Sequence, residues 1–372
     1  MYFLKNSPQN LPLIEKLEFR TETDELDFGR QEYLFRVSLN GKKAQQAQSH
    51  LNQNNIHIYE NQQMVYQQEE LKKKYTDIID WYYVDIAIQL LKEKRVLLED
   101  KKTIFEKMMG NATGFDIDDY LKNEEALQTL GRDLMRLEHY KMRLVQQLIL
   151  NKEMFSELEK EGWISVSQMQ KTISRIKVDL LKNPKYSQQL SNADFAKSEY
   201  DLKEAESEKI IDFVQLKYAG RDKLDLQREL SLGVGINIPT KATARTKLNK
   251  AALEIYDEKY KARLLEMGLL EKIEDSYASF GGLKNDYEFL QKNIKENGLE
   301  NVLEKYMNSG NVHPLTLLRV KESILKNQKL LLKIEQELCL DYLRILELTG
   351  QLIQAPLVNY LSENLELIPA SN

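Results

Sequence analysis

Two short stretches that alternate between apolar and polar residues constrain the fold most, because the rest of the chain is patterned for helices. Residues 229–239 read ELSLGVGINIP, and residues 33–40 read YLFRVSLN. Period-two alternation places successive side chains on opposite faces of a β-strand. In the later stretch, the aliphatic face contains Leu232, Val234 and Ile236, and the small polar face contains Gly233, Gly235 and Asn237. In the earlier stretch, the apolar face contains Phe35 and Val37.

The two stretches belong to a duplicated unit. Leu39 and Ile238, which end the two alternating runs, are 199 positions apart. Gly110 and Gly310 interrupt two long helical patterns and are 200 positions apart. A constant offset between corresponding landmarks is the signature of an internal repeat. We therefore divide the chain into a first repeat at 1–165 and a second repeat at 166–372.

Each repeat is predicted to contain a β-hairpin, a long helix and a helix that returns beside it. In the first repeat these are a hairpin at 16–40, a long helix at 42–109 and a return helix at 117–150. In the second repeat they are a leading helical segment at 166–210, read as one or two helices, a hairpin at 211–239, a long helix at 240–308, a return helix at 315–349 and a C-terminal tail. The helix equivalent to 166–210 would fall before residue 1 in the first repeat. We therefore expect that helix, and any signal peptide before it, to be missing from the given chain.

The first long helix carries a coiled-coil-like stripe. Ile79, Tyr83, Ile86 and Leu90 follow one another at intervals of four, three and four residues, which is the spacing of a packed helical seam. At about 1.5 Å per residue, such a helix is roughly 100 Å long. The chain is thus predicted to be mainly α with a small β part, in two repeats of a hairpin plus long antiparallel coiled-coil helices.

Composition and motif content argue against several classes of protein. The formal net charge of -5 is unlike that of a nucleic-acid binder, which normally presents a basic face. Cys339 is the only cysteine, so no intrachain disulfide can form. The sequence contains no P-loop, no Gly-x-Ser-x-Gly and no histidine pair with metal-ligand spacing. We therefore predict no enzyme activity, no catalytic residue, no cofactor and no metal.

The aliphatic faces of the hairpins need a cover, because an isolated two-stranded hairpin is not stable in water. One solution is a barrel closed by several chains, with the apolar face outward and the polar face inward. The other is a sheet packed on helices, in a soluble coiled-coil scaffold protein. Periodicity alone favours the soluble scaffold, because half-buried antiparallel sheets are common.

Several segments, in order along the chain, resemble the TolC-like outer-membrane efflux protein family. The segment LSLGVGINIPTKATARTKLNKAALEIYDEKYKAR at 230–263 is similar to the family's last strand and the start of the following helix. The segment NPKYSQQLSNADFAKSEYDLKEAESEKI at 183–210 resembles the helix before the second hairpin. FEKMMGNATGFDIDDYLKNEEAL at 105–127 and EKYMNSGNVHPLTLLRVKESIL at 304–325 resemble the two glycine turns. The closing segment YLRILELTG at 342–350 also corresponds, so the resemblance covers roughly 14–350.

This resemblance implies a homotrimer in the bacterial outer membrane, with a shared 12-strand barrel on a periplasmic α-helical tunnel. It implies an exit duct for an efflux pump or a type I secretion system, with a membrane-fusion (adaptor) protein, an inner-membrane transporter and outer-membrane lipid as partners. The apolar strand residues given above would then face lipid, and Gly233, Gly235 and Asn237 would face the lumen. A tilted membrane strand needs about 9–11 residues. The leading strand at 16–23 is therefore expected to extend into 24–27.

The same resemblance places the glycine turns at the tunnel tip, where the adaptor docks. The implied tip residues are Gly110, Thr113, Asp116, Asp118, Asp119, Gly310 and His313. Helix capping is the commoner role for any one of the three aspartates, since Asp at a helix start accepts backbone N–H bonds. Three carboxylates in four positions exceed what a cap requires. We therefore hypothesise that at least one of them lines the entrance and favours cations.

Overall fold

The computed structural model describes residues 11–23, 31–109, 115–149, 162–219, 230–237, 241–296, 298–308 and 313–368. The chain divides into two compact units, each of which draws on both sequence repeats. We name the described parts of Met1–Tyr66 and Pro184–Gly268 the sheet unit, and those of Gln67–Asn183 and Leu269–Asn372 the core unit. The division into repeats at residue 165 stays a prediction.

The strands form one antiparallel sheet in the order β1-β2-β3-β4. Their bounds are Ile14–Thr23 for β1, Gln31–Leu39 for β2, Ile211–Ala219 for β3 and Leu230–Ile236 for β4. The hairpins of the two repeats pair through β2 and β3. Strand β1 reaches 10 residues by starting at Ile14, two residues before the predicted start. The expected extension into 24–27 and the predicted strand residue Ile238 lie outside the described residues.

The described helices range from 10 to 68 residues. They are α1 (Lys42–Met109), α2 (Ile117–Ile149), α3 (Val166–Arg175), α4 (Pro184–Ser207), α5 (Lys241–Glu296), α6 (Leu299–Asn308) and α7 (Pro314–Leu348). Helix α1 runs for 68 residues without glycine or proline, the two residues that most often interrupt a helix. Helix α7 starts with Pro314 at a position where the missing N–H costs no hydrogen bond. None of the described helices is both long enough and apolar enough to cross a membrane.

Two predicted helical segments are interrupted, and only the break in the second long helix departs from the prediction. The predicted helix at 240–308 ends as α5 at Glu296 and restarts as α6 at Leu299. The Gly298 carbonyl accepts hydrogen bonds from the N–H groups of Asn301 and Val302, so the chain begins a new helix there. The predicted helix at 166–210 is α3, a 3-10 turn at Leu180–Lys182, and α4. Pro184 explains the second interruption, because a residue before proline is disfavoured in the α conformation.

Small residues form the helical interior of the sheet unit. Apart from Pro184, every buried apolar residue described in this unit is an alanine: Ala44, Ala47, Ala193, Ala196, Ala251 and Ala262. Two asparagines on α1 bridge to serines on α4. The Asn54 Nδ2 donates to Ser198 Oγ at 2.8 Å, and seven residues later Asn61 Nδ2 donates to Ser191 Oγ at 2.8 Å. These contacts require the two helices to lie close together, which the alanines permit.

Large side chains form the interior of the core unit. The main cluster contains Tyr75, Ile79, Tyr83, Leu338, Tyr342 and Leu346, all at most 3% exposed. Tyr82 stacks on Trp163 with ring centroids 3.9 Å apart, and Trp81 packs against the same cluster. The C-terminal tail joins this core, because the Tyr75 Oη donates to the Val358 carbonyl at 2.9 Å.

Candidate functional site

The sheet has one apolar face that crosses all its strands in register. Directly paired residues share a face, and the pairing gives three rows. They are Leu17–Val37–Val214–Val234, Phe19–Phe35–Leu216–Leu232 and Thr21–Tyr33–Tyr218–Leu230. Ile236 joins this face by alternation along β4. All the residues predicted to face lipid therefore lie on one face of the sheet.

This apolar face is uncovered within the chain. Leu232 is 73% exposed, Ile236 66% and Phe19 64%. A soluble scaffold would bury such a face against its own helices, because each large apolar side chain that moves out of water contributes roughly 1.5–3 kcal/mol. An uncovered apolar surface of this extent is typical of contact with lipid or with another protein.

The opposite face is a network of charged and polar side chains. The Arg36 guanidinium donates to Gln215 Oε1 through Nη2 at 2.9 Å and through Nε at 3.3 Å. It also lies 4.0 Å from the centroid of the Phe213 ring, within the range of a cation–π contact. The Lys217 Nζ lies 2.6 Å from Glu32 Oε2. A face of this kind favours water over lipid, because charges are costly in hydrocarbon.

Gly233 and Gly235 give the side chains of β3 room to lie flat on this polar face. A Cβ on Gly235 would be 2.4 Å from the Phe213 ring, and one on Gly233 would be 2.9 Å from the Gln215 side chain. Both side chains contact Arg36, so the glycines indirectly fix the guanidinium. Asn237, which was also predicted to face the lumen, lies one position beyond the end of β4, and its lumen-facing role stays a prediction. Its N–H donates to the Ile210 carbonyl at 2.7 Å.

Aromatic rings are concentrated at one end of the apolar face. Tyr33 and Tyr218 lie side by side with ring centroids 6.3 Å apart, and Phe19 stacks on Tyr33 at 6.1 Å. The tyrosines belong to the last row before both hairpin connections. Tyrosines are enriched at the membrane–water interface, where the ring contacts lipid and the hydroxyl contacts water.

Within the sheet unit, helix α5 turns alanines inward and larger apolar residues outward. An apolar stripe on its exposed side contains Leu253, Tyr256, Tyr260, Leu264 and Met267, which are 50–73% exposed. Their spacing of three and four residues keeps them on one side of the helix. Ala251 and Ala262, which are buried, fall on the opposite side by the same period. The sheet unit therefore leaves the apolar side of α5 available to another molecule.

The starts of the two return helices lie together in the core unit. The Arg319 Nη2 on α7 donates to Asp119 Oδ2 on α2 at 3.4 Å, and the two residues are 200 positions apart. The Asp116 Oδ1 accepts the backbone N–H of Asp118 at 2.9 Å, which is a helix-capping contact. The backbone N–H of His313 donates to Tyr306 Oη at 2.9 Å, and its side chain makes no cap.

Three other predicted tip residues, Gly110, Thr113 and Gly310, lie outside the described residues. Adaptor contact for the whole predicted set therefore stays a prediction. The sequence analysis did not identify Arg319 as a partner of Asp119. Their 200-residue separation equals the repeat offset, and it could have indicated that the two residues hold equivalent places in the two return helices. Among the described residues, no group of three or more His, Cys, Asp or Glu side chains is placed to hold a metal ion.

Solved outer-membrane proteins have the same arrangement. The open-state MtrE outer membrane channel of Neisseria gonorrhoeae has a TM-score of 0.63 and 12% identity, covering 94% of this chain and 82% of that one. VceC, an outer membrane protein of Vibrio cholerae, has a TM-score of 0.61 and 13% identity, covering 90% of this chain and 85% of that one. The CmeC outer membrane channel of Campylobacter jejuni has a TM-score of 0.62 and 11% identity, covering 92% of this chain and 78% of that one.

The chain has the TolC-like fold. The similar structures are outer membrane factors of the TolC family, the family that the sequence segments resemble. At these identities the likeness concerns the fold alone. Neither the protein-family models nor the curated proteins contain a match to the sequence.

Proposed function

We propose that this chain is a subunit of an outer-membrane channel, which passes solutes or proteins outward without chemistry of its own. The observation that carries the proposal is the two-faced sheet. Its apolar face is uncovered, while the other face holds Arg36, Glu18, Lys217 and Glu32 in polar contacts. An apolar exterior and a polar interior are the pattern of a membrane barrel. The TolC-like fold supports the same reading.

The open edges of the sheet support assembly as a homotrimer. Within the described strands, β1 and β4 each pair on one side only. Unpaired edges invite further pairing, and closure removes them. Four strands from each of three copies would give a barrel of 12 strands, which is wider than the eight-stranded barrels that side chains fill. Such a barrel leaves room for a lumen lined by the Arg36 face.

The outward stripe of α5 supports self-association. Tyr256 and Leu253 are 73% and 69% exposed in the single chain. In a helical tunnel assembled from three copies, neighbouring helices would cover such side chains. Their burial would supply the hydrophobic contribution that the alanine interior of the sheet unit lacks.

The proposed partners are an adaptor protein of the membrane-fusion class and an inner-membrane transporter that supplies the energy. The proposed docking end is the region around Asp119 and His313, next in sequence to the segments 110–114 and 309–312. An efflux pump and a type I secretion system are both compatible with this arrangement. The proposed location is the outer membrane, with the helices extending into the periplasm.

The test is to purify the protein from membranes in detergent, measure the mass of the complex, and add it to a planar lipid bilayer. The proposal predicts three chains per complex and stepwise ionic conductance. A detergent-independent monomer or dimer without conductance would instead identify a soluble scaffold. As a matched control, Leu232→Arg should abolish conductance, whereas Ser231→Arg on the opposite face should preserve it.

A further inference from the structure

A cleft in the core unit combines a basic rim with an apolar floor. Its volume is about 310 Å³, and it lies where the end of α3, the turn at Leu180–Lys182, the end of α7 and the C-terminal tail meet. The exposed rim residues are Arg175, Lys177 and Lys182. The less exposed floor residues are Ile176, Leu346, Tyr360 and Leu365.

The rim cations have no acidic partner among the residues that the structure describes. Within the part of the chain that the structure describes, Arg175, Lys177 and Lys182 form no ion pair with a carboxylate. Arg175 closes the last turn of α3, where a cation is favoured by the helix dipole. Lys177 lies outside any helix, so this reason does not apply to it. Three uncompensated positive charges around one cleft contrast with the formal net charge of -5 for the whole chain.

The walls of the cleft are fixed before any ligand arrives. The Asn183 Nδ2 donates to the Leu348 carbonyl at 2.9 Å, which ties the turn before α4 to the end of α7. Gly350 lies so close to this turn that a Cβ would be 2.1 Å from the Lys182 carbonyl oxygen. The Tyr360 Oη donates to the Gln351 carbonyl at 3.2 Å. A rigid site loses little conformational entropy on binding, which favours affinity.

We propose that this cleft docks an acidic segment of a partner protein. One large apolar side chain of that segment would fill the floor around Leu346 and Leu365, and neighbouring carboxylates would face the rim. Charge complementarity supports an acidic occupant. The volume lies at the small end of ligand pockets, so it suits one or two side chains. The acyl chains of an anionic lipid would need a longer groove. The proposal does not depend on channel activity.

The probe is the fluorescein-labelled peptide EDLFED, and its binding to the full-length protein in detergent is followed by fluorescence anisotropy at low salt. Two control peptides separate the contributions: EDSSED lacks the apolar side chains, and QNLFQN lacks the charges. The pocket variant combines Arg175→Gln, Lys177→Gln and Lys182→Gln. The matched control combines Lys272→Gln, Lys326→Gln and Lys329→Gln, three exposed lysines of the same unit.

The proposal predicts that EDLFED binds the wild type more tightly than either control peptide. The pocket variant should weaken binding by roughly tenfold or more, and the control variant by less than about twofold. Leu365→Asn should weaken EDLFED binding, and circular dichroism at the assay temperature checks that this variant is folded. Leu365 has a φ of 52°, a conformation that asparagine also adopts.

Four results would overturn the proposal. The first is a wild-type Kd for EDLFED above about 1 mM, and the second is an equal loss of EDLFED affinity in both triple variants. The third is binding of EDSSED as tight as that of EDLFED. The fourth is displacement of EDLFED by short-chain phosphatidylglycerol at a lower concentration than by unlabelled peptide. The last result would assign the cleft to lipid.

Discussion

Replacing Gly350 by alanine should destabilise the core unit through two separable effects. Gly350 has a φ of 70°, a left-handed conformation that costs an alanine roughly 1–2 kcal/mol. In addition, the new Cβ would lie 2.1 Å from the Lys182 carbonyl oxygen and 2.9 Å from the Asn183 nitrogen. Both atoms belong to the backbone, so the turn itself must shift. Forcing extra atoms into a packed site typically costs about 1–3 kcal/mol. The expected loss in the free energy of unfolding is therefore about 2–5 kcal/mol.

Gly162 provides the control that separates the two effects. Its φ is 82°, but a Cβ there would meet nothing within 4 Å. Gly162→Ala should therefore cost only the backbone contribution of roughly 1–2 kcal/mol. Gly131 lies inside α2, and a Cβ there would also meet nothing within 4 Å. Gly131→Ala should therefore raise the free energy of unfolding by about 0.5–1 kcal/mol.

The assay is guanidinium unfolding of the three variants, followed by tryptophan fluorescence. The two tryptophans of the chain, Trp81 and Trp163, both pack against the core of this unit. Their emission therefore reports the unfolding of the core unit and not of the sheet. If Gly350→Ala costs no more than Gly162→Ala, the contact with Lys182 does not constrain the structure and the reasoning fails.

Three further predictions concern the sheet, the helix ends and pH. Leu232→Arg should cost about 2–4 kcal/mol in trimer assembly and Ser231→Arg much less; equal losses on native gels would contradict the assignment of faces. Asp119→Asn should lower the cation selectivity of the bilayer conductance. Arg319→Gln should raise this selectivity, because it leaves the Asp119 carboxylate without its cation partner. Unchanged reversal potentials in both variants would limit Asp119 to a structural role. Burial raises the pKa of Cys339 from 9.0 to about 12, so the folded state retains a proton that the unfolded state loses above pH 9. The contribution of the Cys339 thiol to stability is present below pH 9 and falls as pH rises towards 12. Cys339→Ala should therefore flatten the plot of unfolding free energy against pH over this range. A plot identical to that of the wild type would refute the assignment.

The sequence was sufficient for the element order and the faces of the sheet, because both follow from local periodicity. Long helix α1 coincides with the predicted range 42–109, since nothing in its sequence interrupts a helix. Alternation placed Val234 and Gly235 on opposite faces, as the register of β4 has them. The break before α6 was missed because apolar periodicity continues across it, although the Asn297-Gly298 pair is a turn signal.

Contacts between distant residues were beyond the reach of periodicity. The contact of Arg36 with Gln215 joins residues 179 positions apart and depends on the register between the hairpins. The stripe around Tyr256 on α5 has a visible period. However, a period cannot tell whether a face is buried by its own chain or by another. That distinction required the position of Ala251 on the inner side of the helix.

Disulfide cross-linking between the two edges of the sheet tests the central claim most directly. The only native cysteine, Cys339, is buried and is replaced by serine. Val234→Cys on β4 is combined in turn with Leu17→Cys, Phe19→Cys or Thr21→Cys on β1, all on the same face. These edges are separated by β2 and β3 within one chain, so a bond between them joins two copies. Residues directly opposite each other on neighbouring strands lie about 5 Å apart. A disulfide needs a Cα–Cα distance of roughly 4.4–6.8 Å, so such a pair can be bridged.

The account predicts that at least one pair, oxidised in membranes, gives a ladder of monomer, dimer and trimer that ends at the trimer. A ring of three closes its last edge, so no larger product can form. Cross-links that continue beyond three chains, or no cross-link for any pair, would contradict a closed barrel shared by three copies.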